Sequence, residues 1–262
     1  WTGPDTLVLC SSYSGDTEET LACWEAARTI GAPRVALTTG GALAEAARSD
    51  GAPVIGVPAG LQPRAAVAYM TVGALECAAL CGAAPSLRSE IEASRDLLDE
   101  LAGEWGPEGP EESEPKEVAR RLRGAVAVVY GAGATAPVAR RWKTQLNENA
   151  KVPAFFSEVP EANHNEVAGL DGGAELAPLH PILLHEASGG ERVGHRLMLT
   201  AMLASNAGLR ADGLTARGES LTEQVLSLVL CGDLVSLYLA ALRGVDPAPV
   251  AAIEDLKRRL DE

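Results

Sequence analysis

Aromatic residues are scarce, at 4% of 262 residues with only two Phe. The core must therefore be aliphatic, built from Ala, Leu, Val and Ile. Positive charge is also short: 22 Lys and Arg face 36 Asp and Glu, for a net charge of −14. Such a chain repels nucleic acid and anionic lipid, so neither nucleic acid nor a membrane is expected as a partner. An anionic substrate would need local positive charge or helix N-termini to overcome that field. No apolar run reads as the ~18 residues of a membrane span, and no secretory signal is expected. The five cysteines are Cys10, Cys23, Cys77, Cys81 and Cys231. An odd number in mostly apolar surroundings predicts free, buried thiols and a reducing, cytoplasmic setting. Cys77 and Cys81 share a helix face without a nearby His, and His180, His185 and His195 show no ligand spacing, so no metal site is expected.

What is present is ample apolar material, 47% against 22% charged, enough for one large domain or two smaller ones. The first third alternates strand and helix signals. Residues 6–10, 34–38 and 53–58 read as strands, 18–30 and 42–49 as helices, and 65–81 as a buried helix. That alternation predicts parallel βαβ units. An amphipathic helix over 86–102 is followed by a stretch rich in Pro, Gly and Glu, expected to be a linker over 103–117. The pattern then restarts, with strands over 125–130, 152–156 and 181–185 and helices over 118–123, 137–149, 193–207, 221–242 and 246–260. The expected organisation is a first unit over 1–102 and a second over 118–262. The chain opens almost at once on a strand-like run, which suggests that an upstream element is missing.

The segment Ser11-Ser12-Tyr13-Ser14-Gly15-Asp16-Thr17-Glu18-Glu19-Thr20 follows a strand and opens a helix. Three hydroxyls, on Ser12, Ser14 and Thr17, crowd a glycine turn at a helix N-terminus. Hydroxyl donors, free backbone N–H groups and a favourable dipole are what a phosphate monoester requires. The same residues also suit a helix cap, a hydroxyl followed three residues later by Glu.

The segment 12–20 resembles the sugar-phosphate motif of sugar isomerase (SIS) domains, in the form S-Y-S-G-N-T-E-E-T of the bifunctional phosphoglucose/phosphomannose isomerase family. Asp16 stands where Asn is more usual. Gln145-Leu146-Asn147-Glu148-Asn149-Ala150-Lys151 resembles that family's Q-x-x-E-N-A-K segment, and Glu161-Ala162-Asn163-His164-Asn165-Glu166 its E-x-x-H-N-E segment. The resemblance covers nearly the whole chain. It implies two tandem three-layer α/β units with parallel sheets and a helical C-terminal tail, and isomerisation of glucose 6-phosphate or mannose 6-phosphate with fructose 6-phosphate. It makes Ser12, Ser14 and Thr17 the phosphate ligands and Glu148 the base. His164 and Lys257 assist ring opening, and Arg64, after Pro63, stabilises the enediolate. No metal or organic cofactor is implied. A homodimer is expected, because the family's ring-opening His comes from the partner subunit. Family members also begin with a strand and a Gly-Gly-Ser turn, which this sequence lacks ahead of Trp1.

Those roles make chemical sense. Moving a proton between C2 and C1 needs one carboxylate that reaches both carbons, and a His titrates in the range useful for opening a hemiacetal ring. Two other readings compete. One is a sugar-phosphate-binding or regulatory module without turnover. The other is a dinucleotide-dependent enzyme using Gly131-Ala132-Gly133-Ala134-Thr135-Ala136, which fits G-x-G-x-x-A, with Glu158 ending the next strand.

Overall fold

The computed structural model describes residues 2–187 and 190–260. The chain divides into two compact units, Trp1–Arg88 and Ser89–Glu262.

The first unit runs β1 (Val8–Ser11), α1 (Glu18–Thr29), β2 (Arg34–Thr38), α2 (Gly41–Ser49), β3 (Val54–Gly56), a 3-10 turn over Pro63–Ala66, and α3 (Val67–Leu80). The strands are parallel in the order β1-β2-β3. Alternation along each strand sorts the side chains by face. Val8, Cys10, Ala36 and Val54 pack with Trp24 of α1 and Leu43 of α2. Leu37 and Ile55 take the opposite face and meet α3 at Gly73, where a Cβ would stand 2.7 Å from Leu37 Cδ1. The sheet is thus a middle layer between helices. Composition suggested that α3 is buried. In fact Cys77 is its one buried residue, and Leu80 is 81% exposed. Its apolar residues surround the helix, whereas a three-stranded sheet covers one stripe.

The second unit runs α4 (Arg88–Trp105), α5 (Glu114–Arg121), β4 (Val126–Gly131), α6 (Thr135–Ala150), β5 (Ala154–Glu158), 3-10 turns over Glu161–His164 and Glu166–Gly169, α7 (Leu170–Leu176), β6 (Leu179–His185), α8 (Glu191–Asn206), β7 (Asp212–Thr215), α9 (Leu221–Arg243) and α10 (Ala251–Leu260). Its parallel sheet has the order β5-β4-β6-β7. One face buries Val129, Ile182 and Leu184 against Trp105, Trp142 and Val235 from α4, α6 and α9. The other buries Tyr130 and Leu183 against Leu197 of α8. Both units are three-layer α/β structures, and α10 forms the helical end.

The helices α6 and α9 pack closely because Gly232 carries no side chain. A Cβ there would fall 2.3 Å from Trp142 Nε1, whose N–H donates to Leu228 O at 2.8 Å. Beside this contact, Arg141 and Gln145 both donate to the Asp233 carboxylate, and Asn149 donates to Ser236 Oγ. By length and mean hydropathy, 2.1 over 18 residues, α9 is apolar enough to cross a membrane. This departs from the expectation of no such run. The helix packs on α5 and α6 within the second unit, where Gln224, Ser227 and Ser236 are buried with hydrogen-bond partners.

Three further expectations are corrected. The unit boundary falls at residues 88–89, not at 103–117. The supposed linker belongs to the second unit because Trp105, Ser113, Pro115 and Lys116 are buried there. Lys116 Nζ ties the loop down by donating to Pro107 O and Gly109 O. Among the thiols, Cys23 and Cys81 are exposed, while Cys10, Cys77 and Cys231 are buried. Finally, the last helix, expected over 246–260, begins only at Ala251, after Pro247 and Pro249.

Candidate active site

The turn after β1 carries Ser12, Ser14 and Thr17. Ser12 is buried, and its backbone N–H donates to Leu37 O at 3.0 Å. Its hydroxyl accepts from Gly15 N at 3.1 Å and pairs with Thr17 Oγ1 at 2.7 Å. Ser14 is exposed, and its hydroxyl accepts from Asp16 N. Gly15 has φ +82°, and a Cβ there would lie 1.9 Å from Gly40 O, so both conformation and space demand glycine. Asp16 Oδ1 accepts from Ala42 N at 2.9 Å. An Asn oxygen would accept the same bond, so the departure from the usual residue keeps the loop's anchor to α2. Thr17 occupies the N-cap position of α1, yet its side chain makes no capping bond. The reciprocal cap that the sequence allows is therefore not formed. The first turn keeps its backbone donors free of a side-chain cap, at the positive end of the helix dipole.

Tyr13 was not singled out by its sequence, although it lies inside the motif. Its hydroxyl donates to Pro58 O and accepts from Leu61 N, both at 2.9 Å. The loop so held leads directly into the 3-10 turn that carries Arg64, whose Nη1 donates to Gln62 Oε1 at 3.5 Å. Ser12, Ser14, Thr17 and Arg64 thus all lie on two connected loops of the first unit.

Glu148 and His164 lie in the second unit. Glu148 is half-buried in the last turn of α6. The helix stops at Lys151, which is left-handed at φ 55°. Lys151 Nζ donates to Glu148 O, and reaches Pro247 O at 3.2 Å and Pro249 O at 2.6 Å. One side chain thereby joins the Glu148 turn to the segment entering α10, where Lys257 sits exposed. His164 is exposed at the end of the short turn that follows β5. Its neighbours fix that turn. Asn163 Nδ2 donates to Thr200 Oγ1 at 2.8 Å, Asn165 Nδ2 donates to Glu161 Oε1 at 2.9 Å, and the Glu166 carboxylate accepts from Tyr130 OH at 3.1 Å and from Ser157 Oγ. Burial, with Glu166 beside it, pushes the Tyr130 phenol well above its ordinary value. The hydroxyl therefore stays a donor to that carboxylate. Lys151 and Glu166 were also missed as supporting residues, although both fall within the quoted motifs.

The glycine turn at 131–136 has a different state. Gly131 is compressed, since a Cβ there would meet Thr135 O at 2.4 Å. Thr135 Oγ1 donates back to Ala132 O and accepts from Ala132 N. The Glu186 carboxylate accepts from Ala134 N at 3.2 Å. A pyrophosphate would have to displace this internal anion, which counts against the dinucleotide reading. Among the described residues, no three His, Cys, Asp or Glu side chains converge as a metal-ligand group.

Two parallel three-layer units, the first with a hydroxyl-lined turn at an uncapped helix start, have the organisation of a tandem SIS-domain protein. A family model described as the bacterial phospho-glucose isomerase C-terminal SIS domain matches residues 111–260. A bifunctional phosphoglucose/phosphomannose isomerase of Caldicellulosiruptor bescii is 39% identical, over 98% of this chain and 77% of that protein. One from Aquifex aeolicus is 36% identical, over 98% and 76%. The chain belongs to the bifunctional phosphoglucose/phosphomannose isomerase family. Solved structures agree on the fold. A glucose-6-phosphate isomerase like protein from Thermus thermophilus aligns with a TM-score of 0.66 at 21% identity, covering 98% of this chain and 90% of that one. The tagatose-6-phosphate ketose/aldose isomerase of Escherichia coli aligns with a TM-score of 0.68 at 15% identity, covering 94% and 71%.

Proposed function

We propose that this chain is an aldose–ketose isomerase that interconverts glucose 6-phosphate, mannose 6-phosphate or both with fructose 6-phosphate. The observation that carries the reading is the hydroxyl-lined, uncapped start of α1, in a chain whose relatives bear that activity in their names.

Ser12, Ser14 and Thr17 donate to the phosphate, with the N-terminal amides of α1 adding their partial charge. His164 and Lys257 open the sugar ring by moving a proton at the ring oxygen. Glu148 then removes the proton from C2 of the aldose and returns it to C1, and Arg64 offsets the negative charge of the enediolate. Lys151 supports both the base and Lys257, since it holds the Glu148 turn against the entry to α10. His164 is exposed on a braced turn, which suits donation into a partner subunit's site, so the working form is a homodimer. Its five unpaired cysteines favour a reducing, cytoplasmic setting.

A coupled assay with fructose 6-phosphate, reading glucose 6-phosphate and mannose 6-phosphate separately, tests this. Glu148→Gln removes the base with little change of shape and lowers kcat by about 10²–10⁴-fold. Retained fructose 6-phosphate binding without wild-type turnover would identify a binding module instead.

A further inference from the structure

The Tyr13 side chain sits between two loops that the reaction above uses, and its hydroxyl makes an unusual link. Pro58 and Leu61 are the first and fourth residues of a tight turn. In an ordinary β-turn the first carbonyl accepts directly from the fourth N–H. Here the Tyr13 hydroxyl stands in that bond, donating to Pro58 O at 2.9 Å and accepting from Leu61 N at 2.9 Å. Gly60 supplies the left-handed third position, at φ +95°. Three residues after Leu61 comes Arg64, inside the 3-10 turn Pro63–Ala66, with Ala65 N donating to Gln62 O.

The other end of Tyr13 is fixed to the phosphate turn. Its carbonyl accepts from Thr39 N at 3.0 Å and Thr39 Oγ1 at 2.8 Å, and its chain neighbours are Ser12 and Ser14. A shift of the phosphate turn therefore moves the hydroxyl that closes the Pro58–Leu61 turn, and with it the root of Arg64.

We propose that Tyr13 is a positioning residue that couples phosphate binding at Ser12, Ser14 and Thr17 to the placement of Arg64. The inference rests on the isomerase reading for its kinetic consequence, but the coupling itself can be read without turnover. The chemistry of the link predicts a clean variant. Tyr13→Phe keeps the ring and removes the hydroxyl, and both abandoned backbone groups lie where water reaches them, so the unit folds.

The test compares amide hydrogen exchange in residues 57–64 with and without saturating fructose 6-phosphate, in the 262-residue chain and in Tyr13→Phe. In the wild type the ligand slows exchange there about fivefold or more, as expected when binding orders a linked segment. In Tyr13→Phe that protection disappears, while fructose 6-phosphate affinity stays within about twofold because the three hydroxyls are untouched. The kinetics follow: kcat falls about tenfold with KM nearly constant, the pattern of lost orientation. On an Arg64→Ala background, Tyr13→Phe lowers kcat no further, since it acts through Arg64. Equal protection in the two proteins, no ligand-dependent protection in the wild type, or additive losses in the double variant would overturn the coupling. A wild-type chain without turnover would sink the isomerase reading alone, because the exchange comparison still decides the role of Tyr13.

Discussion

Ser12 is the hydroxyl most firmly held in the proposed phosphate turn, bonded to both Gly15 and Thr17. Ser12→Ala removes a proposed phosphate donor and frees its two partners. KM for fructose 6-phosphate is expected to rise about tenfold, one hydrogen bond to a charged group, with a smaller change in kcat. Asp16 gives the opposite result. Its Oδ1 holds Ala42 N, and its charge sits in the turn proposed to bind a dianion. Asp16→Asn keeps an accepting oxygen and removes the charge, so KM falls about two- to fivefold while kcat holds. A residue outside the site contributes to stability in acid. Burial pushes the Asp212 carboxyl up, but hydrogen bonds from His180 and Arg121, at 2.8 and 2.9 Å, prevail and hold it below its ordinary value. A carboxyl lowered by folding stabilises the protein fully above its unfolded value of about 3.9, and that contribution fades as pH falls through the folded value. Thermal melts from pH 7 downward are expected to lose this contribution below about pH 4. Asp212→Asn lowers the melting temperature at pH 7 and flattens the acid limb.

At the scale of elements, α6 and α9 pack closely. Gly232→Ala pushes a methyl into the Trp142 indole, and overpacking of that kind costs about 1–3 kcal/mol. Urea unfolding of the variant measures it directly. Lys151 gives a second element-level test. Lys151→Gly keeps the left-handed turn that ends α6 and deletes the bonds to Pro247 and Pro249. Limited proteolysis is then expected to cut residues 245–260 faster, with the rest of the chain unchanged. Most elements were legible in the sequence because strand and helix signals alternate with clear glycine and proline stops. The strand β7 was not. Its four residues, Asp-Gly-Leu-Thr, hold a single buried apolar side chain, too little for a periodic signal. Candidate site residues could be named from the sequence because motif letters record chemistry. The roles of Tyr13, Lys151 and Glu166 were not, because each depends on a bond to residues distant in sequence.

At the scale of the whole molecule, the unit boundary is where composition misled. Residues 103–117 read as a linker because Pro, Gly and Glu punctuate them. Composition does not register that Trp105 and Lys116 are buried by the second unit's own helices. A fragment of residues 89–262 keeps α4, with Leu101 and Trp105, and is expected to unfold cooperatively. A fragment beginning at 106 loses both core side chains, each worth about 2–5 kcal/mol, and is expected to be molten or aggregated by near-ultraviolet circular dichroism. The three-layer organisation implied by the family resemblance needed no such correction, and the parallel βαβ units within it follow from the alternating pattern itself.

The central claim is that Glu148 is the base of a hexose-phosphate isomerase. The most direct measurement follows deuterium exchange from C2 of glucose 6-phosphate into water alongside fructose 6-phosphate formation, in the wild type and in Glu148→Gln. The wild type is expected to wash out the C2 label as it turns over, and Glu148→Gln to bind the sugar phosphate normally while losing both signals together, by about 10²–10⁴-fold. Undiminished washout and turnover in Glu148→Gln would contradict the account.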